Sequence, residues 1–298
     1  MGRALLFGAN GYLGRHIAYF LKQSNIDFTP LGYAETSKDY YSNYQQVDLA
    51  KKEEVECLDF DVDYIYVFAG LTGTNVGFKE YEQYIKVNEI GLLNILNHHK
   101  NTNSKARIIF PSSRLVYKGV KDYPLKETAE KEAKTIYAQN KLACEQYLKM
   151  CQNYYGIDYT VFRIGVPYGN LLDDNYSYGT LGFFLDKVKN KENITLYGDG
   201  SQKRTFTHVG DIAQIIVGSL AIDNMKNNIY NIGSNDNLSL IKVAQTIAHK
   251  YALGVDFVEW PEEALKIESG DTIFDDSKLQ KSFTYLYQYK IEEWLKGL

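Results

Sequence analysis

The chain has 298 residues, of which 45% are hydrophobic, enough to build a sizeable core and too many for a disordered protein. Its formal net charge of −4 argues against nucleic-acid binding, which needs a strongly basic face. No apolar run reaches the roughly 20 residues of a membrane-spanning helix, so no membrane contact is predicted. Three cysteines without metal-binding spacing, Cys57, Cys144 and Cys151, indicate reduced thiols in the cytoplasm and no metal site.

In the first half of the chain, short apolar runs alternate with longer helical patterns, as is typical of βαβ units. The strands predicted there are Ala4–Phe7, Phe28–Gly32, Gln45–Asp48, Asp63–Ala69, Arg107–Phe110 and Asp158–Ile164, and the helices are Tyr12–Ser24, Tyr81–His99 and Thr128–Tyr154. After Gly169 the pattern weakens. The predicted elements there are strands Ile194–Tyr197 and Ile229–Ile232 and helices Gly182–Lys189, Asp211–Ala221, Leu240–Tyr251 and Ile291–Leu298.

This order predicts an α/β protein with a Rossmann-type, doubly wound parallel sheet and a smaller C-terminal α/β lobe for substrate. We expect the dinucleotide-binding domain to span residues 1–165, with part of 205–235 returning to it. The substrate lobe is expected to span residues 166–298. Because no Pro-rich linker separates the two, we expect interleaved lobes rather than tethered ones.

A glycine loop follows the first predicted strand and opens the first helix. Glycines let the backbone turn sharply and approach a pyrophosphate, which then lies at the helix N-terminus. Strand-to-helix turns also use glycine for steric reasons alone, so it is the position of this loop that favours a dinucleotide. The residues expected to contact the cofactor are Gly8, Asn10, Gly11, Tyr12, Leu13 and Gly14.

The end of the second strand normally carries an acidic residue that binds the adenosine ribose. No carboxylate stands at Leu31–Tyr33, and its absence favours NADP(H), with Ser37 and Lys38 as candidate phosphate contacts. No arginine stands at Leu31–Tyr33 either. NAD(H) therefore remains the alternative, with Glu35 or a main-chain group binding the ribose.

A tyrosine and a lysine four residues apart form the second signal. Tyr137 and Lys141 lie in the predicted helix Thr128–Tyr154, so their side chains project from one face about one turn apart. A free tyrosine has a pKa of about 10, and a neighbouring ammonium lowers it towards a useful range. The pair therefore predicts proton exchange with a hydroxyl or carbonyl oxygen, and Lys141 could also hold the nicotinamide ribose.

Two serines, Ser112 and Ser113, directly follow the predicted strand Arg107–Phe110. A hydroxyl at the carboxyl end of a parallel strand points into the ligand crevice, where it can bind the reacting oxygen. The alternative is a serine that caps the next turn.

Several further motifs follow in a fixed order: Val116-Tyr117, the segments Arg163–Gly169 (RIGVPYG) and Tyr197–Asp211 (YGDGSQKRTFTHVGD), and Tyr230–Gly233 (YNIG). Together with the glycine loop, the serines and the Tyr–Lys pair, they make nearly the whole chain resemble the extended short-chain dehydrogenases/reductases. Within that family the chain is similar to the nucleotide-sugar epimerase, dehydratase and reductase group.

The resemblance implies roles for individual residues. It implies that Ser113, Tyr137 and Lys141 are catalytic, with Tyr137 as acid/base and Lys141 on the nicotinamide ribose. Further cofactor contacts implied by the resemblance are Asp48, Leu49, Ala69, Gly70, Asn88 and Ile164, and the implied substrate contacts are Arg114, Val166 and Arg204, the last on the pyrophosphate.

Departures from the group narrow the reaction. Dehydratases place an Asp-Glu pair after the catalytic residue, but Arg114 and Leu115 stand here, so elimination is not expected. Many epimerases have an asparagine at Val166, and many members have a second phosphate-binding arginine where Glu268 stands.

Two reactions remain compatible with the motifs. We expect reduction of a 4-keto sugar nucleotide by NADPH, with NAD-dependent 4-epimerisation as the alternative. A non-catalytic redox sensor would have no need of Tyr137. The resemblance also implies a homodimer, formed by the helices around Ile85–Leu96 and Tyr137–Leu148 as a four-helix bundle.

Overall fold

The computed structural model describes residues 2–173 and 178–298. The strands are β1 (Arg3–Phe7), β2 (Asp27–Gly32), β3 (Gln45–Gln46), β4 (Tyr64–Val67), β5 (Arg107–Ser113), β6 (Pro124–Leu125), β7 (Tyr159–Ile164), β8 (Val166–Tyr168), β9 (Ile194–Tyr197), β10 (Lys203–His208), β11 (Asn228–Ile232), β12 (Asn237–Ser239), β13 (Val255–Val258) and β14 (Ile273–Phe274). The α-helices are α1 (Tyr12–Gln23), α2 (Lys52–Glu56), α3 (Val76–Lys79), α4 (Tyr81–Tyr84), α5 (Gly91–Asn101), α6 (Ile136–Tyr155), α7 (Gly179–Lys189), α8 (Val209–Gly218), α9 (Leu240–Lys250), α10 (Glu262–Lys266), α11 (Ser277–Ser282) and α12 (Ile291–Gly297).

The first compact unit contains the residues up to Val116, then Thr135–Arg163 and Ala213–Tyr230. Its seven-stranded sheet has the order β11-β7-β5-β4-β1-β2-β3. Strand β1 is parallel to β2 and β4, and β4 is parallel to β5. This is the mostly parallel, Rossmann-like α/β fold that the alternating pattern predicted.

The core of the first unit explains why these segments form strands. The strands β1, β4 and β5 are buried almost throughout, as central parallel strands are; β4 and β5 contain β-branched and aromatic residues, and β1 contains leucines and a phenylalanine. One hydrophobic cluster joins Leu5, Ile65 and Ile108 of these strands to Ile95 of α5 and Leu148 of α6. Each such buried side chain contributes about 1.5–3 kcal/mol to folding.

Helix α6 begins later than the sequence suggested. The prediction of helix from Thr128 was wrong, because residues before Thr135 use their backbone groups elsewhere: Lys131 forms an isolated antiparallel bridge with Tyr117. Thr135 then starts the helix, since its hydroxyl accepts a hydrogen bond from Ala138 N at 3.1 Å. Gly156, with a left-handed φ of +73°, ends it.

Two other segments differ from the expected boundaries. Strand β5 runs through Ser112 and Ser113 instead of ending at Phe110, so both serines are strand residues. The single helix predicted over Tyr81–His99 is interrupted by a π-helical segment, Ile85–Ile90, between α4 and α5. Such π segments often occur at functional sites.

The second compact unit contains Tyr117–Lys134, Ile164–Ile212 and Asn231–Leu298. It has a three-stranded sheet in the order β12-β10-β8 and two small parallel pairs, β13-β9 and β14-β6. Asn231 is fully buried and cross-links this unit, because it accepts from the Tyr117 hydroxyl at 2.6 Å and donates to Leu125 O at 2.8 Å. Within the described ranges, no helix combines the length and apolarity needed to cross a bilayer.

Candidate active site

The glycine loop lies between β1 and α1 and is held against two neighbouring strands. Gly8 and Ala9 donate backbone hydrogen bonds to Leu31 O at the end of β2, at 2.8 and 3.0 Å. Gly8 has φ +86°, and a Cβ there would lie 2.4 Å from Ala69 N. A Cβ at Gly14 would lie 2.0 Å from Gly8 O. The loop therefore has its shape only with glycine at these two positions.

The N-terminus of α1 is open to an anion. Its N-cap is Gly11, which has no side chain to cap the first turn, and the turn contains no acidic residue. The first N–H groups and the helix dipole therefore favour a phosphate at this end. Tyr12 and Leu13, predicted cofactor contacts, are half-buried residues of this first turn.

Asn10 and Arg15 join the glycine loop to the segment after β2. Asn10 donates from Nδ2 to Thr36 O at 2.8 Å, and its Oδ1 accepts from Lys38 N at 2.8 Å. Arg15 binds the Asp39 carboxylate through Nε at 3.0 and 3.1 Å and through Nη2 at 2.6 Å. Sequence reasoning missed Asp39, which stands seven residues beyond β2.

The π-helical segment positions Asn88 against the loop after β4. Its Oδ1 accepts from Leu71 N at 2.7 Å, and its Nδ2 donates to Leu71 O at 3.1 Å and to Asn140 Oδ1 at 3.2 Å. A Cβ at Gly70 would lie 2.9 Å from Asn88 Oδ1. Asn88 thus fixes the backbone next to Ala69 and Gly70, two predicted cofactor contacts.

A second layer of polar groups supports Asn88. Asn140 donates from Nδ2 to Glu89 Oε1 at 2.6 Å, and the Tyr147 hydroxyl donates to Glu89 Oε2 at 2.8 Å. That hydrogen bond to the carboxylate raises the pKa of Tyr147 to about 12. No signal in the sequence pointed to Glu89 or Asn140, because their pairing depends on how α6 packs on the π segment.

The two residues predicted to contact adenine, Asp48 and Leu49, form a turn before α2. The Asp48 carboxylate accepts from Ala50 N at 2.9 Å, and Leu49 is buried with its carbonyl bound by Asn94 Nδ2 at 2.8 Å. The turn is therefore held by its own side chain and by α5.

Tyr137 and Lys141 lie one turn apart in the first half of α6, on the face that meets β5. The Lys141 ammonium is 4.5 Å from the ring centre of Phe110 and 5.7 Å from that of Tyr137. Burial lowers the pKa of Lys141 to about 8, against the opposing charges of Cys144 and Glu145. A cation close to one phenol ring can stabilise a phenolate.

The two serines at the end of β5 have different partners. The Ser112 hydroxyl donates to Glu145 Oε1 at 2.5 Å. The Ser113 hydroxyl oxygen accepts from Leu115 N at 3.2 Å, which is the turn-capping contact considered as the alternative. A serine hydroxyl can donate while it accepts, so this contact leaves the Ser113 proton able to bind a substrate oxygen.

The remaining predicted contacts in this region have ordinary surroundings. Arg114 is half-buried in a 3₁₀ turn, Arg114–Val116. Ile164 is the buried last residue of β7, and Val166 is buried in β8 opposite Phe206 of β10.

Arg204, predicted to meet a pyrophosphate, is held by its own unit. Its side chain is 3% exposed, and Nη2 contacts Glu268 Oε1 at 2.5 Å. Its Nη1 donates to Lys203 O at 2.9 Å and to Gly270 O. The guanidinium is thus paired with the acidic residue that stands where relatives were expected to have a second arginine.

No group of three or more His, Cys, Asp or Glu side chains arranged to hold a metal ion is found in residues 2–173 and 178–298. The catalytic candidates in the first unit are a phenol, an ammonium and a hydroxyl, those of Tyr137, Lys141 and Ser113. These groups can move a proton and stabilise charge on an oxygen.

Comparison with known proteins identifies the family of the chain. The family model described as "NAD dependent epimerase/dehydratase family" matches residues 4–233. A proposed UDP-glucose 4-epimerase of Methanocaldococcus jannaschii is 28% identical over 252 residues, which cover 83% of this chain and 81% of the relative.

Two solved structures are similar over nearly all of the chain. UDP-N-acetylglucosamine 4-epimerase from Methanobrevibacter ruminantium M1, in complex with UDP-N-acetylmuramic acid, has a TM-score of 0.85 at 26% identity, covering 99% of this chain and 96% of that one. The UDP-glucose 4-epimerase of Thermus thermophilus, in complex with NAD, has a TM-score of 0.84 at 23% identity, with the same coverage.

Proposed function

Because the chain belongs to the NAD-dependent epimerase/dehydratase family, we propose that it oxidises and re-reduces a sugar carbon of a nucleotide sugar, with Tyr137 as the proton-transfer residue. The observation that carries this proposal is the buried Lys141 ammonium, 5.7 Å from the ring centre of Tyr137 and 4.5 Å from that of Phe110 in β5. The preferred reaction is NAD-dependent epimerisation at C4.

The glycine loop fits a dinucleotide. The backbone occupies space that a Cβ at Gly8 or Gly14 would fill, and the α1 N-terminus offers its amides to a pyrophosphate. When bound, the nicotinamide would take a hydride from the sugar carbon and return it. We propose that the first unit holds this cofactor and that the second unit holds substrate.

The residues of this chain would manage the proton. As the C4–H bond breaks, Tyr137 takes the hydroxyl proton and the Ser113 hydroxyl donates to the oxygen that becomes a carbonyl. A free tyrosine has a pKa of about 10 and is mostly protonated at neutral pH. The Lys141 ammonium stabilises the phenolate form of Tyr137. Return of hydride to the opposite face of the ketone would then give the C4 epimer, and Tyr137 would give the proton back to the oxygen.

NAD is the preferred cofactor because of Arg15. A 2′-phosphate needs a cation near the adenosine ribose, but the Asp39 carboxylate engages the guanidinium of Arg15 through both Nε and Nη2. A phosphate would have to displace that carboxylate and would be repelled by it. The pairing of Arg15 with Asp39 therefore favours NAD(H) over NADP(H), which the absence of an acidic residue at Leu31–Tyr33 had favoured.

Reduction of a 4-keto sugar nucleotide by NADPH is the second candidate. It uses the same three residues, Ser113, Tyr137 and Lys141, and one hydride transfer instead of two. The observation in its favour is that no carboxylate follows β2 directly, where a ribose-binding acid normally stands.

A second copy of this chain is the proposed partner of the first unit. Exposed apolar residues lie on the helices expected to pair, at Ile85 and Ile90 of the π segment, and just outside the expected ranges, at Phe78 of α3 and Met150 of α6. A surface of this kind on two adjacent helices suits a four-helix contact.

Incubation of the purified protein with UDP-glucose or UDP-N-acetylglucosamine tests the function. Epimerisation predicts conversion to the C4 epimer without added cofactor or with NAD⁺, and no net change in absorbance at the nicotinamide band. Tyr137→Phe is expected to lose at least about a hundredfold in kcat. Full turnover by this variant would overturn the proposal, and stoichiometric NADPH consumption with a 4-keto sugar would favour the reductase.

A further inference from the structure

A buried ion pair links α6 to strands β5 and β7 in the first unit. Arg163 of β7 donates to both carboxylate oxygens of Glu145 in α6, from Nε to Oε1 at 2.9 Å and from Nη2 to Oε2 at 2.6 Å. Ser112 of β5 completes the cluster through its hydrogen bond to Oε1. The side chains of Glu145 and Arg163 are 1% and 3% exposed, so water does not reach the pair.

Stability is a poor explanation for such a pair. Removing two charges from water costs several kcal/mol per ion, and well-packed apolar residues of similar size are often as stable or more so. The location of the pair gives a better explanation. Residues 137, 141 and 145 are spaced by four, so Glu145 shares a face of α6 with Lys141 and Tyr137.

We propose that Glu145 is a positioning residue for the reaction: with Arg163 and Ser112 it fixes α6 against β5, and its charge keeps the Lys141 ammonium protonated beside Tyr137. Ser112 is the neighbour of Ser113, so one carboxylate connects the strand of the hydroxyl donor to the helix of the acid/base. The inference rests on the function proposed above for Tyr137, Lys141 and Ser113.

The electrostatic surroundings of Lys141 support this role. Burial lowers the pKa of Lys141 to about 8, and the charges of Cys144 and Glu145 raise it. Burial also raises the pKa of the Cys144 thiol to about 12, so at neutral pH this thiol is uncharged. Glu145 is then the carboxylate of α6 that opposes the loss of the lysine proton.

Other elements contribute charge near these groups. Strand β7 provides Arg163, which offsets part of the Glu145 charge, and Tyr159, whose pKa is raised by burial and by Glu145. The π segment provides Glu89, whose charge acts on Cys144. Strand β5 provides the Phe110 ring, which carries no charge. Replacing Glu145 by Gln would therefore leave Arg163 as a cation opposed to Lys141.

The direct test is the titration of Lys141 in the full-length protein. Lysine labelled with ¹³C at Cε is followed by NMR over pH, and the Lys141 signal is assigned by its loss in Lys141→Arg. In Glu145→Gln we expect the Lys141 midpoint to fall by about one pH unit, because an attractive charge is removed and a repulsive one is left unpaired. An unchanged midpoint in the folded variant would overturn the inference.

Ser112→Ala tests the geometric part while the ion pair remains. We expect kcat for the sugar nucleotide that the wild type converts to fall severalfold at an unchanged KM. The matched control is Thr160→Val, which removes a different buried hydroxyl, on β7, that donates to Met225 O at 3.0 Å. It should lower stability and leave kcat unchanged. If Ser112→Ala behaved like Thr160→Val, positioning by this cluster would be refuted, even if Glu145→Gln did not fold.

A parallel measurement of Tyr137→Phe separates this inference from the proposed function. Suppose that Tyr137→Phe loses turnover while the Lys141 midpoint in Glu145→Gln equals that of the wild type. That result would contradict only the positioning role of Glu145. Full turnover in Tyr137→Phe would sink the proposed function, whatever Glu145 does to the titration.

Discussion

Each of the two compact units contains an arginine paired with a glutamate, and these two pairs differ in their access to water. In the first unit, Arg163 and Glu145 are 3% and 1% exposed, and Glu145 shares the face of α6 that carries Tyr137. In the second unit, Arg204 is also 3% exposed, but Glu268 is 22% exposed. The first pair is closed to solvent, whereas the second has one partner that water can reach. We infer that the first is a fixed support and that the second can exchange its partner.

The largest expected difference concerns stability. Arg163→Met would leave Glu145 buried and unpaired, and we expect a loss of about 3–5 kcal/mol in the free energy of unfolding at pH 8. Arg204→Met should cost less, because water can solvate the remaining Glu268. Urea denaturation of both variants measures the difference. Equal losses of unfolding free energy in Arg163→Met and Arg204→Met would contradict the expected difference between the two pairs.

The next prediction concerns the buried Lys141 ammonium, which lies over the Phe110 ring. The folded pKa of Lys141, about 8, lies below its ordinary 10.5, so the unfolded chain binds more protons between these values. The contribution of Lys141 to the free energy of unfolding should therefore rise with pH from about 8 to 10.5, by up to about 3 kcal/mol. Lys141→Met should remove that rise and lose turnover. Urea titrations at pH 7.5, 9 and 10.5 check the slope, and an unchanged slope in Lys141→Met would contradict it.

Glu268, the partly exposed partner of Arg204, should control the affinity of the second unit for diphosphates. Glu268→Gln removes the carboxylate that neutralises Arg204, and we expect the Kd for UDP-glucose to fall about tenfold, or 1.4 kcal/mol. Calorimetry at low and high salt measures it. The control is Glu262→Gln, which breaks the exposed pair with Lys266 and should leave the Kd unchanged. Weaker binding in Glu268→Gln would show that the carboxylate itself contacts substrate.

The smallest effect is expected at a third pair, Arg15 and Asp39, in which both side chains are partly exposed. Arg15 and Asp39 are 19% and 21% exposed, so their separation costs little. Asp39→Asn should release Arg15 for a 2′-phosphate and improve the Kd for NADPH relative to NADH by roughly threefold to tenfold. Fluorescence titrations check the ratio. The gain should vanish in Arg15→Met/Asp39→Asn, and its persistence there would refute the role of Arg15.

The sequence predicted well those features that depend on neighbours along the chain. The short apolar runs and the helical patterns located most strands and helices of the first unit, because a buried parallel strand needs a continuous apolar run. The glycine loop and the four-residue spacing of Tyr137 and Lys141 were also readable. A steric requirement and a helical repeat are local properties.

The errors in the predicted elements have identifiable structural causes. Residues 128–135 have helix-forming composition, but the bridge between Lys131 and Tyr117 gives their backbone other partners. The π segment around Asn88 could not be read, since an extra residue in a helical turn leaves no mark in the apolar pattern. Strands β6, β8, β12 and β14 were missed because each has only two or three residues, and β10 because five of its six residues are polar or charged.

By itself, the sequence determined the Rossmann-like fold, the order of its elements and the identity of the candidate phenol, ammonium and hydroxyl. Only the tertiary structure decided which charges meet: Glu145 with Arg163, Glu268 with Arg204 and Asp39 with Arg15, at separations of 18, 64 and 24 residues. The physical reason is that Coulomb energy and desolvation depend on distance and burial in space. Neither quantity is encoded in the spacing of two charges along a chain.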